Sequence, residues 1–335
     1  MTAPDAPLSS AQPWPDPPNP TQGIRAVDGN RAALSVLAAQ QLGTAFFAGL
    51  DVPIRGKLVH LGLNLPLGPA LLLSVLLNVI ILSVFFRPAV RALLSDTRWR
   101  TPPAWGVALG AFVLGFIASR AFLVAYVTLF PSAAEVIPPF LAQGSGVWVL
   151  LLAAGIVVPI MEEIAFRGLM MRGHERAAGF GVAAVASSFA FALAHGVPAT
   201  IAGILPLAYV LARAAQHTGS LWTSVLIHAF NNLLAVGLGA LLADKLGSST
   251  IQGSGAITSE AMKLPLAIGA ALFGAVVLWV LHAWLTPKAD PQERSAPGPW
   301  LSAAWVVIVT FGLVMALLTL PGVQAELPRL QQILN

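Results

Sequence analysis

Val158-Pro159-Ile160-Met161-Glu162-Glu163-Ile164-Ala165-Phe166-Arg167-Gly168 sets two adjacent carboxylates at the end of a run that is apolar from Val147 onward. Of the fourteen Asp and Glu in the chain, these two alone fall within a segment that reads as membrane-spanning. A charge at bilayer depth is costly, so an ionisable residue there marks a functional site. Neighbours on a helix point about 100° apart, and the two carboxylates therefore serve different directions. Glu163 and Arg167 stand at i, i+4 with the acid N-terminal, the order that favours an ion pair within the helix. That pairing neutralises Glu163 and leaves Glu162 free for a cavity, where it can act as general base toward water. Pro159 withholds the bond to the Gly155 carbonyl and predicts a kink beside the pair. The plainer reading is a snorkelling Glu-Glu-Arg cluster at a helix end.

Composition sets the solvent. Hydrophobic residues make up 57% of the chain and charged residues 10%, with a mean hydropathy of +0.79. A soluble domain carries about a quarter charged residues, so the expected class is an all-α polytopic membrane protein. The net charge of +4 is no nucleic-acid footprint, and its placement matters more, because Lys and Arg in short loops set orientation. The absence of Cys excludes disulfides, thiolate metal sites and a Cys nucleophile. Residues 1–30 lack an apolar core and are rich in Pro, Ala, Asp and Asn, which predicts a disordered tail and no signal peptide.

Nine apolar stretches are visible, near 32–50, 66–86, 103–130, 147–166, 178–196, 199–215, 221–241, 264–286 and 300–320. The first is diluted by Gln40 and Gln41, so the expectation is a bundle of eight to nine transmembrane helices. Twelve Lys and Arg fall in one set of alternate loops and five in the other. The richer set, which includes the N-terminal tail and the predicted loops 87–102 and 167–177, is then cytoplasmic. The predicted loops 131–146 and 196–199 face outside, 242–263 is an external loop, and 287–299 is a cytoplasmic linker. The active site is expected within the bilayer near the cytoplasmic side.

Two further stretches carry polar groups. His195 ends the predicted span 178–196, with Phe191 one turn earlier. His228 and Asn232 stand at i, i+4 and share a helix face, where they can hold a metal or bind a water and an oxyanion. Each has a plainer reading, as a structural hydrogen-bonder or as polar glue between helices. Together, a carboxylate, two imidazoles and an amide supply what a water-activating hydrolase needs. No H-E-x-x-H zinc helix is present, no Asp lies within a span, and Gly144-Ser145-Gly146 lacks serine-site spacing. His60, His174, His217 and His282 read as incidental.

These three motifs resemble those of the CPBP family of intramembrane proteases (CAAX prenyl proteases and bacteriocin-processing enzymes, the Abi family). The family pattern is E-E-x-x-x-R, F-x-x-x-H and H-x-x-x-N or D on successive helices. Here it is met by Glu162, Glu163 and Arg167, by Phe191 and His195, and by His228 and Asn232. Gly219-Ser220-Leu221-Trp222 also looks like the family's approach to its third motif. The likeness covers about 142–241, between N-terminal spans over 31–141 and an external loop with further spans over 242–335.

The resemblance implies cleavage of a peptide bond in a membrane-associated protein or peptide, with the lipid bilayer as the other partner and no nucleic acid. Candidate substrates are a prenylated CAAX-like terminus or a leader peptide. Glu162 would activate water with His195, and His228 with Asn232 would bind the oxyanion. Glu163, Arg167 and Phe191 would support them. Glu162, His195, His228 and Asn232 could alternatively hold a divalent metal such as zinc, or act with no cofactor at all. A non-catalytic scaffold or immunity protein that keeps the fold is the alternative. One difficulty is depth: His195, late in its span, lies far from Glu162 unless residues 168–183 form an interfacial helix.

Overall fold

An apolar chain in lipid must satisfy its backbone internally, and helices do so within one segment. The computed structural model describes residues 23–54, 57–131, 146–251, 259–320, 322–324 and 326, and it is helical through nearly all of them. The helices are α1 (Ala26–Ala48), α2 (Leu67–Phe85), α3 (Arg87–Ser95), α4 (Thr97–Arg100) and α5 (Trp105–Leu129). There follow α6 (Val147–Ala178), α7 (Phe180–Leu193), α8 (Pro198–Thr218), α9 (Leu221–Ile251), α10 (Glu260–Trp284) and α11 (Ala303–Leu318). Among the described residues, six are long and apolar enough to cross a membrane: α2, α5, α6, α8, α9 and α10. α7 and α11 are apolar but shorter. α1, the diluted first stretch, is not in that set of six.

Several sequence expectations are corrected. Residues 26–30, read as tail, begin α1, and Asn30 is fully buried. Residues 1–22 of the expected tail and 132–145 of the expected outer loop lie outside the described residues. An antiparallel ribbon joins Leu50–Ile54 to Lys57–Leu61, with Leu50 opposite Leu61. The expected external loop 242–263 is helical up to Ile251 and again from Glu260, and 252–258 lie outside the described residues.

The largest correction concerns 167–177, expected as a cytoplasmic loop. It is the last third of α6, and its charges face protein. Arg172 Nε lies 2.8 Å from Asp96 Oδ2, and its Nη1 lies 2.6 Å from Asp290 and 3.1 Å from Glu175. Arg98 Nη1 lies 2.8 Å from Glu175 Oε2, and Gln216 Nε2 donates to Glu175 Oε1 at 2.8 Å. The linker 287–299 also serves the helix end. Its Arg294 and Ala296 amides donate to the Glu175 and Arg176 carbonyls, both 3.0 Å, joining the linker to that helix end. His174 is not incidental: it is fully buried, and its Nε2–H donates to Asn30 Oδ1 at 2.7 Å. Asn30 in turn donates to the Trp300 carbonyl and Ser302 Oγ, tying α1, α6 and α11 together.

This polar end sets the depth of everything beyond it. Gly179, at φ +91°, reverses the chain, and α7 packs back along α6. Glu162 lies 17 residues before Gly179 and His195 16 residues after it. At about 1.5 Å per residue both arms climb roughly 25 Å, so the two residues reach the same height. α11 runs beside α7, with Trp305 Nε1 donating to the Ala186 carbonyl near one end and Thr319 Oγ1 to the Gly196 carbonyl at the other. Both helices are short because they span only the distance from polar end to site.

The Asp290 carboxyl shows how this network responds to pH. Burial pushes its pKa up, but the Arg172 hydrogen bond and charge, the Gln292 amide and Arg98 together hold it below the ordinary value. The stabilisation is therefore complete above the unfolded value of about 3.9 and is lost as pH falls through the lower folded value. Thermal unfolding in detergent is expected to show Asp290→Asn destabilised by roughly 2 kcal/mol at neutral pH. The gap to wild type should close in acid, where both carry a neutral side chain.

Candidate active site

The Glu pair stands between two widened, π-helical turns of α6, Ala153–Val157 and Ile164–Met171. Such turns bond N–H to the carbonyl five residues back, and they gather at functional sites. The Val158 amide follows this register and donates to the Ala153 carbonyl. The next bond would run from residue 159 to Ala154, but Pro159 has no N–H to give. In that register the Ala154 carbonyl is left over. Asn232 fills it: its Nδ2 donates to the Ala154 oxygen at 3.1 Å. Asn232 Oδ1 accepts from Asn231 Nδ2, also at 3.1 Å.

Glu163 is fully buried, and its Oε1 accepts from Arg167 Nη1 at 2.9 Å and from His228 Nδ1–H at 3.0 Å. Arg167 is equally enclosed. Its Nη2 donates to the Ala208 carbonyl at 2.9 Å, and its guanidinium lies 4.4 Å over the Phe191 ring, close enough for a cation–π contact. Phe191 is the hub of the three motifs. Besides Arg167 it meets His195 and His228 edge-on, with ring centroids 5.0 and 5.5 Å away, and Phe166 at 5.1 Å. Phe166 and the Ala208 carbonyl carried no signal in the sequence, since one is an ordinary apolar side chain and the other is backbone.

His195 is not in a helix, as the sequence suggested, but in the turn after α7 that ends at Gly196 (φ +65°). Its Nδ1–H donates to the Phe191 carbonyl at 3.0 Å. An imidazole whose Nδ1 carries the proton presents its lone pair at Nε2. His228, which donates from Nδ1 to Glu163, does likewise, and its Nε2 lies 3.6 Å from Glu162 Oε2. His195 lies within electrostatic reach of Glu162, His228 and Arg167.

The seven residues thus gather in one region and divide by access. Glu163, Arg167, Phe191 and His228 are buried, whereas Glu162 (side chain 22% exposed), His195 and Asn232 are half-buried. A carboxylate and two Nε2 lone pairs suit water, and the same donor types suit a divalent metal. Among the described residues, however, no three His, Asp or Glu side chains converge on a common point, and Asn232 spends its oxygen on Asn231. As placed, they do not form a ligand set.

The site lies on helices long and apolar enough to cross a membrane. The family model described as type II CAAX prenyl endopeptidase Rce1-like matches residues 144–234, from the start of α6 to the middle of α9. All three motifs lie inside that match, which supports the CPBP, or CAAX protease, family for this part of the chain, and the chain is an integral membrane protein. No curated protein and no solved structure gives a significant match.

Arg167→Lys tests the buried clamp. An ammonium keeps the charge but lacks the planar fork that spans Glu163 and the Ala208 carbonyl while stacking on Phe191. Thermal unfolding in detergent is expected to show a loss of about 1–3 kcal/mol.

Proposed function

We propose that the protein is an intramembrane endopeptidase that hydrolyses a membrane-associated protein or peptide, with Glu162 as the base that activates water. The observation that carries this reading is the unequal treatment of two adjacent carboxylates. Glu163 is sealed against Arg167 and His228, while Glu162 keeps open access and only a distant imidazole. Environments that separate two titratable neighbours in this way assign them different roles.

A water between Glu162 and the His228 Nε2 meets an acceptor on each of its two hydrogens, and its oxygen lone pair is left for attack. As the C–O bond forms, Glu162 takes a proton. The amide C–N bond then breaks, and that proton passes to the departing nitrogen. The second Nδ2 hydrogen of Asn232 is the donor available to the developing oxyanion. His228 Nε2, 3.6 Å from Glu162 Oε2, accepts the water's other hydrogen, His195 lies beside the pair, and Glu163, Arg167 and Phe191 hold the imidazoles. No step calls for a metal.

Eight spans, counted as the six long helices with α7 and α11, fit this reading, with the Arg-rich end of the bundle in the cytoplasm. A prenylated CAAX-like terminus and a leader peptide both suit a site at mid-bundle height whose Glu162 side chain is partly exposed. Comparison of protein N- and C-termini in cells carrying wild type or Glu162→Ala at matched expression tests the reading. Termini present with wild type and absent with the variant are expected. Identical termini in both would refute it.

A further inference from the structure

A guanidinium removed from water needs a counter-charge, and breaking such a pair leaves a penalty of several kcal/mol. Arg98, Arg167 and Arg172 obey this, since each meets a carboxylate at 2.8 or 2.9 Å. Arg213, on α8, does not. It is 7% exposed, and among the described residues no Asp or Glu lies within ion-pair distance. Its Nη2 reaches only the His282 carbonyl, at a long 3.4 Å, and its Nε is buried without an acceptor.

A second donor, the His282 imidazole, stands beside Arg213. Tyr209, one turn earlier on α8, places its hydroxyl 2.6 Å from His282 Nδ1, with the two rings 22° from parallel. With the phenol donating, His282 carries its own proton on Nε2, and His282 is exposed. The spot therefore combines a buried cation lacking a counter-charge, an imidazole N–H and no carboxylate. Charge-assisted, forked donors of this kind suit a phosphate oxyanion.

Its height in the bundle indicates where that phosphate comes from. His282 stands between Trp279, 68% exposed, and Trp284, 38% exposed, at the end of α10. Exposed Trp of this kind sits at the headgroup level of a bilayer. Arg213 lies five residues from the end of α8, about 8 Å, a distance its long side chain can cover toward the interface. α10 is the least buried of the six long helices, so the face that carries its exposed residues borders lipid.

We propose that Arg213, Tyr209 and His282 form a phosphate-binding site on the α8–α10 face, filled by the headgroup phosphate of a membrane lipid. The site is separate from the Glu162 region, and it holds whether or not the peptidase reading does.

Thermal unfolding in dodecyl maltoside tests it, with wild type, Arg213→Gln and His282→Leu each titrated with dioleoylphosphatidylglycerol, dioleoylglycerol or inorganic phosphate. The phospholipid is expected to raise the wild-type Tm, and its apparent affinity should fall at least about tenfold in either variant. Dioleoylglycerol, with the same tails and no phosphate, should give no such shift. A wild-type shift with millimolar phosphate alone would assign the bound oxyanion to solution, and its absence would assign it to lipid. His282→Leu changes an exposed side chain and so carries the test if Arg213→Gln does not fold. No shift in wild type, equal shifts in wild type and variants, or equal shifts from both lipids would overturn the proposal.

Discussion

Arg167 is a permanent cation with no exposed surface, and the site depends on how it is neutralised. Its charge is met by Glu163 four residues earlier, its second amino group by the Ala208 carbonyl, and its face by the Phe191 ring. Those contacts reach α8 and α7, and Glu163 adds α9 through His228. One buried ion pair thereby fixes the relative placement of four helices. It also fixes the tautomer of His228, and so the position of the lone pair that faces Glu162. A well-packed apolar substitute would often be no less stable than a buried pair. Its retention here is explained by placement of the imidazole, not by stability.

The second constraint lies at the opposite end of the hairpin. Arg98, Arg172, Glu175, Asp96 and Asp290 close over one another and hold the α6–α7 reversal at Gly179. Because both arms start from this point, a network some 25 Å away decides that His195 arrives beside Glu162 rather than above it. The linker 287–299, which looked like a simple connection, takes part through Asp290, Glu293, Arg294 and Ala296.

What the sequence made legible follows from how local each signal is. The Glu163–Arg167 pair was readable because four residues on a helix face one another. Long apolar runs announced helices for the same reason. The polar network was not readable, since Asp96 and Asp290 stand 76 and 118 residues from Arg172 and Arg172 beside Arg176 looks like a positively charged loop. Asn232 looked like an oxyanion donor, yet one of its hydrogens pairs the Ala154 carbonyl, which only the π register leaves open. Tyr209, Arg213 and His282 showed nothing unusual in sequence, because the missing counter-charge of Arg213 is apparent only once its surroundings are known.

The central claim is that two adjacent glutamates divide the labour, one chemical and one structural. It is tested most directly by purifying Glu162→Gln and Glu163→Gln and measuring, for each, the thermal unfolding midpoint in detergent and cleavage of a substrate that the wild type processes. The account predicts that Glu162→Gln unfolds at the wild-type temperature and cleaves nothing, while Glu163→Gln unfolds several degrees lower. Retained cleavage by Glu162→Gln, or a wild-type midpoint for Glu163→Gln, would contradict it.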